Sequence, residues 1–171
     1  TVREQTIADI FLHPVLDHVT PQVLDEIPKL LTAGCNSIKV FTVLPNFDSQ
    51  VGGYLEAIRR AGDNGLITLI HCEDYALIED ATARLVAAGK SSLRYYAESR
   101  RVISEVVATQ RAVAFAEVTG APVYIVHSWS CLAAWMLMYI CRFPRKKRMW
   151  ILVGWMTLPA APLRHSRVAS R

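Results

Sequence analysis

No Asp or Glu occurs after Glu117, and no Trp or Met occurs before Trp129. These two absences divide the chain. Residues 1–117 hold 11 Lys/Arg against all 15 Asp/Glu, while residues 118–171 hold 8 Lys/Arg and no acid. The formal net charge of +4 therefore joins an acidic stretch to a strongly basic one. Cysteine is sparse: Cys35, Cys72, Cys131 and Cys141 form no CxxC pair and no framework spacing. They fit reduced thiols in a cytoplasmic protein better than disulfides. No signal peptide is visible, and Thr1 stands where an initiator Met would be. The expectation is a piece cut from something longer.

Long apolar runs are missing as well. Trp129 to Tyr139 and Trp150 to Leu158 are each shorter than the roughly 17–25 residues that span a bilayer, so no membrane partner is expected. Between them lies a basic block, Arg142-Phe143-Pro144-Arg145-Lys146-Lys147-Arg148, with charge for phosphates or anionic lipid. No nucleic-acid fold or ordered aromatic platform accompanies it, and nucleic acid is not expected as a partner. What remains is ordinary for an ordered α/β protein: 52% hydrophobic and 20% charged residues leave little room for disorder before residue 128.

Three short apolar runs carry the pattern. Leu66-Ile67-Thr68-Leu69-Ile70 ends in His71-Cys72-Glu73-Asp74, Pro122-Val123-Tyr124-Ile125-Val126 ends in His127, and Ser37-Ile38-Lys39-Val40-Phe41 carries a lysine. Runs of this kind read as strands of a parallel sheet buried on both faces. Ala8 to Leu16 reads as an earlier strand, limited by Pro14. Helical spacing fills the gaps. Thr20-Pro21 opens a helix whose stripe Leu24, Ile27, Leu30, Leu31 is kinked or shortened by Pro28. Further stripes run from Gly53 to Asn64, from Asp74 to Gly89, and from about Ile103 to Thr119, with glycines as stops. Alternating strands and helices with short connections predict a parallel sheet.

Residues at the carboxyl ends of such strands are where α/β folds place chemistry. A lysine inside an apolar strand must be paired, deprotonated or modified, because an isolated buried ammonium costs several kcal/mol. Lys39 has two readings: its ammonium reaches solvent or an ion pair, or CO₂ carbamylates it into a metal-bridging carboxylate. A single histidine at a strand end is more often a satisfied rim residue than a ligand. His71 and His127 occupy the same position of two strands beside Lys39, and together they point to a metal site, with imidazole suited to Zn²⁺. Glu73 and Asp74 are candidate acceptors that would orient a ligand, with helix capping an equal reading for Asp74. His13, His18 and His165 read as surface or local hydrogen-bonding residues, and Cys72 as a small buried side chain.

The motifs Ser37-Ile38-Lys39-Val40-Phe41, Ile70-His71-Cys72-Glu73-Asp74, Tyr95-Tyr96-Ala97-Glu98-Ser99-Arg100, Glu105 with Ala108-Thr109, and Ala121-Pro122-Val123-Tyr124-Ile125-Val126-His127 closely resemble the dihydropyrimidinase/hydantoinase branch of the amidohydrolase superfamily. The likeness runs in one register from about residue 5 to His127. It implies a partial (β/α)₈ TIM-type barrel, about four of eight strands, over residues 1–128. It also implies two Zn²⁺ ions per complete site, Lys39 as the carbamylated bridge, and His71 and His127 as ligands of the second metal. The implied reaction is hydrolytic opening of a cyclic amide, a hydantoin or dihydropyrimidine, in a homo-oligomer that is a tetramer in the family.

Departures from the family pattern are equally specific. The His-x-His pair of the first strand and the aspartate of the last strand have no counterpart. Leu44 stands where many relatives carry an oxyanion-stabilising tyrosine, with Tyr54 too far along to be assumed a substitute. Arg101 replaces a proline. Residues 129–171 lack the expected acidic amphipathic helix and read as a tail in a wrong reading frame or, alternatively, a genuine divergent tail, which the nucleotide sequence would separate. The expectation for this chain is an inactive piece of the hydrolase. Alternatives are a non-catalytic scaffold of the same fold acting through oligomerisation, and a complete small doubly wound domain.

Overall fold

The computed structural model describes residues 12–126 and the backbone of Ile151–Gly154. Among the described residues, four strands form one parallel sheet: β1 (Ser37–Phe41), β2 (Ile67–His71), β3 (Val123–Val126) and β4 (Ile151–Gly154), in the order β1-β2-β3-β4. Side chains alternate across β1, β2 and β3, as the two-residue strand period requires. Ile38, Val40, Thr68, Ile70, Val123 and Ile125 are buried under the helices, whereas Lys39, Phe41, Leu69, His71, Tyr124 and Val126 are half-buried on the other face. In register, Lys39 stands opposite Leu69, Phe41 opposite His71 and His71 opposite Val126.

Helices connect the strands in the predicted places. α1 (Pro21–Glu26) starts at Thr20, whose hydroxyl accepts from the Val23 N–H at 3.3 Å, and gives way at Pro28 to a 3₁₀ turn, Ile27–Lys29. α2 (Val51–Asp63) buries Tyr54, Ala57, Ile58 and Ala61, the i, i+3, i+4, i+7 stripe of an amphipathic helix. α3 (Tyr75–Ala87) is capped by Asp74, which accepts from the Leu77 N–H at 3.0 Å. The short α4 (Tyr96–Ser99) leads into α5 (Val102–Thr119). α5 ends at Gly120 with φ +67°, its N–H donating to Ala116 at 2.9 Å. Only glycine takes that left-handed conformation without strain. α2 and α5 cover the buried sheet face, and Tyr54, Phe47, Ile58, Ala112 and Ala116 sit in one core with the strand residues. None of the described helices is long and apolar enough to cross a membrane.

Strand membership differs from the sequence reading. Of the predicted first strand, residues 8–11 lie outside the described residues, and residues 12–16 contribute one parallel bridge, Val15 to Lys39. Its two hydrogen bonds are Lys39 N–H to the Pro14 carbonyl at 2.8 Å and Leu16 N–H to the Lys39 carbonyl at 2.9 Å. Pro14 has no N–H to extend the ladder. The fourth strand of the sheet is Ile151–Gly154 instead, from the segment whose sequence reads as a tail. The remainder of that tail lies outside the described residues.

Candidate functional site

Parallel strands bring their carboxyl ends to one edge, and the polar residues of β1 and β2 gather there. Lys39 lies on the half-buried sheet face with its Nζ 4.7 Å from the centroid of the Phe41 ring. Burial pushes its ammonium down to about 8, and the nearby Cys72 opposes the shift. Phe41 in turn lies against the His71 ring, centroids 5.4 Å apart. Lys39, Phe41 and His71 thus line one patch across two strands. Cys72 points the other way, into the core, where burial pushes its thiol up to about 12. It is a packing residue, as its small size predicts.

The turn after β2 is held tightly. Thr42, buried beyond the end of β1, donates through its hydroxyl to the Glu73 carbonyl at 2.7 Å and accepts from the Glu73 N–H at 2.9 Å. Its own N–H donates to the His71 carbonyl at 3.1 Å. Glu73 is therefore fixed by its backbone, and its side chain turns back along the strand. Its Oε2 lies 2.9 Å from Nε2 of His71 and 2.8 Å from Nη1 of Arg100. The next residue, Asp74, caps α3 and donates its N–H to the Ser104 carbonyl at 3.1 Å. Of the two acidic residues, Glu73 touches the histidine and Asp74 serves the helix.

Of the predicted metal residues, Lys39 and His71 lie on one face, and His127 lies outside the described residues. His13 bonds Ser37 Oγ, and His18 contacts Asn46 and Gln50 at 3.0 and 3.2 Å. The partners of both lie 24 to 32 residues along the chain. His165 is outside the described residues. Tyr54 is in the core, its hydroxyl donating to the Asp17 carbonyl at 2.8 Å, and Leu44 packs against that core. Two contributors escaped the sequence reading as individual residues. Thr42 has the signal of a hydroxyl just past an apolar strand, and Arg100 appeared only within a motif.

No family model matches the chain. It is 34% identical over 120 residues to the D-hydantoinase of Streptomyces coelicolor, covering 70% of this chain and 26% of that protein. With a D-phenylhydantoinase of Escherichia coli it shares 34% identity over 124 residues, 72% of this chain and 27% of the other. The D-hydantoinase (dihydropyrimidinase) structure from Thermus sp. superposes with a TM-score of 0.70 at 26% identity, covering 84% of this chain and 31% of that one. The chain carries a segment of the hydantoinase–dihydropyrimidinase family. The hydantoinase segment spans about a quarter of the length of these curated relatives.

Within the hydantoinase segment, no group of three or more His, Cys, Asp or Glu side chains converges among the described residues. The donor chemistry nevertheless fits a share of a metal centre. Lys39 is a half-buried amine held near the range where its neutral form is populated, and His71 is braced by a carboxylate, the usual support of a ligating imidazole.

Proposed function

We propose that the whole protein is a hydrolase of cyclic amides, opening a hydantoin or dihydropyrimidine ring. The observation that carries this reading is the match to hydantoinases over a segment whose Lys39, within β1, and His71, at the end of β2, share one sheet face. Strand order supports a partial barrel: each strand pairs with its predecessor and the order never reverses, as in a singly wound barrel and unlike the switch point of a doubly wound sheet. In the complete site Lys39, carbamylated, would bridge two Zn²⁺ ions, with His71 and His127 on one of them. Bound divalent metal supplies a lowered water pKa and a polarised amide carbonyl. This chain's residues hold and orient: Glu73 braces His71, and Thr42 fixes Glu73. The segment alone is an inactive piece of a homo-oligomeric enzyme, and the free thiols Cys35 and Cys72 favour a cytoplasmic location.

A chimera tests the activity. The matched segment of the Streptomyces coelicolor D-hydantoinase is replaced by this one, and hydantoin ring opening is followed. The chimera is expected to hydrolyse hydantoin and to lose at least about 100-fold in rate on Lys39→Ala, as loss of a metal ligand implies. A folded chimera with bound Zn²⁺ and no ring opening would sink the proposal. A second reading, a non-catalytic scaffold, is favoured by Leu44 in place of a tyrosine. It predicts a folded chimera that retains no metal.

A further inference from the structure

A helix at a protein surface turns one apolar face to the core and a polar face to water, whereas a helix apolar all round belongs in an interior. α2 follows the first pattern: its outer side carries Glu56, ion-paired with Arg59 and Arg60, and the exposed Asp63. α5 does not. Ala108, Ala112, Val113 and Ala116 face the core, yet Ile103, Val107, Gln110, Ala114 and Val118 are exposed on the same helix. Ile103 is 52% exposed, Val107 39% and Val118 67%. Their i, i+4, i+7, i+11, i+15 spacing makes one stripe down the side away from the core. The stripe is apolar apart from Gln110, which carries no charge.

The charges at its ends say what covers it. Arg101 stands at the start of α5 and Glu117 in its last turn, both exposed. Arg111 turns aside to Asp48. A cation at a helix N-terminus and an anion at a C-terminus oppose the helix's own dipole, but each suits the other end of an antiparallel neighbour. Two copies of α5 running parallel would set Glu117 beside Glu117. Running antiparallel about a centre between Gln110 and Arg111, they set Ile103 against Val118 and Val107 against Ala114, and bring Arg101 within a turn of Glu117 at each end. Gln110 then meets its own copy, and an amide both donates and accepts. A two-fold interface uses the same patch on both subunits, so the patch must complement itself. We infer that the outer stripe of α5 is a two-fold docking surface for a second copy of this chain, packed antiparallel through its own α5. The inference names a surface for the homo-oligomer proposed above and otherwise rests on α5 alone, not on ring opening.

Sedimentation velocity of the full chain, up to the highest concentration that stays in solution, tests the surface. The unsubstituted chain is expected to pass from monomer to dimer as concentration rises. Val107→Glu buries a charge in the apolar contact and should weaken the dimer at least about tenfold. Circular dichroism checks that this variant folds. If it does not, Gln110→Lys, an exchange of one exposed polar side chain for another, is read in its place with the same expectation. Arg101→Glu and Glu117→Arg should each weaken the dimer roughly two- to fivefold, the scale of exposed ion pairs, and the two together should restore it. Within one copy these residues lie at opposite ends of α5, about 24 Å apart at the helical rise per residue, so restoration requires two chains. Gln110→Cys should give, under mild oxidation, a dimer bridged from position 110 to itself, located by peptide mass mapping, because only a residue near the two-fold axis can reach its own copy. A chain that stays monomeric overturns the inference and leaves the stripe to a different partner. So does a dimer untouched by the folded Val107→Glu or Gln110→Lys, a double charge swap without restoration, or a dimer that forms no bridge at position 110. Ring opening is read separately in the chimera described above. A dimer that responds as expected, beside a Zn²⁺-loaded chimera that opens no ring, keeps this surface and removes the hydrolase proposal.

Discussion

Lys39 and Cys72 are neighbours whose protons respond to burial in opposite directions, and each makes a residue-scale prediction. The Lys39 ammonium, ordinarily near 10.5, is pushed to about 8 in the fold. Below 8 both folded and unfolded chains carry the charge, and the folded one carries it at a cost. Between 8 and 10.5 the unfolded chain still binds the proton that the folded chain has lost, so stability rises with pH across that window. Lys39→Met removes the cost. In CO₂-free buffer it is expected to be more stable than the parent at pH 7 by urea unfolding, with the advantage shrinking as pH rises from 8 to 10.5. An advantage that stays constant with pH contradicts this. Cys72, raised to about 12 by burial, is almost wholly a neutral thiol at pH 8, and only the thiolate reacts. Iodoacetamide at pH 8 should label the half-buried Cys35 well before Cys72, with peptide mass mapping as the check. Rapid native labelling of Cys72 would show that its pocket opens.

At the scale of elements, the helices are placed by their ends and by one tight crossing. Thr20, Pro28, Asp74 and Gly120 were legible because capping and breaking are local chemistry, and the helix boundaries follow them. Arg100 was not legible as a partner of Glu73, because 27 residues separate them and no local pattern encodes an ion pair made by the return of the chain. Nor was β4, whose membership depends on pairing with β3 rather than on its own sequence. The tight crossing is at Gly62 of α2, where a Cβ would come within 2.5 Å of Ala121 Cβ and 2.9 Å of Ala121 Cα, at the entry to β3. Gly62→Ala gains helix propensity of about 1 kcal/mol, but the overpacking against backbone costs about 1–3 kcal/mol. The expected result is a lower urea midpoint with an unchanged slope. Ala121→Gly should recover part of the loss, since the clash with the Ala121 methyl disappears while the clash with its backbone remains. A Gly62→Ala protein as stable as the parent would mean the helix shifts freely.

For the whole molecule, the strand order was partly readable: alternating apolar runs and helical stripes specify parallel neighbours. Lys39 and His71 fall on one face because of the two-residue strand period and the register, so the patch was legible once the sheet was. Of the predicted first strand, residues 12–16 make one parallel bridge, since Pro14 has no N–H for the ladder, and residues 8–11 lie outside the described residues. The order β1-β2-β3-β4 also bears on how the chain is made. Among the described strands, each one after β1 finds its partner already synthesised, so the sheet can grow at one edge in step with the ribosome. Pairing between sequential neighbours keeps loop-closure costs low. Ribosome-tethered chains from which residues 12–100 have emerged should already protect β1 and β2 from a pulse of protease, and equal cleavage of those strands until β3 emerges would show that assembly is concerted.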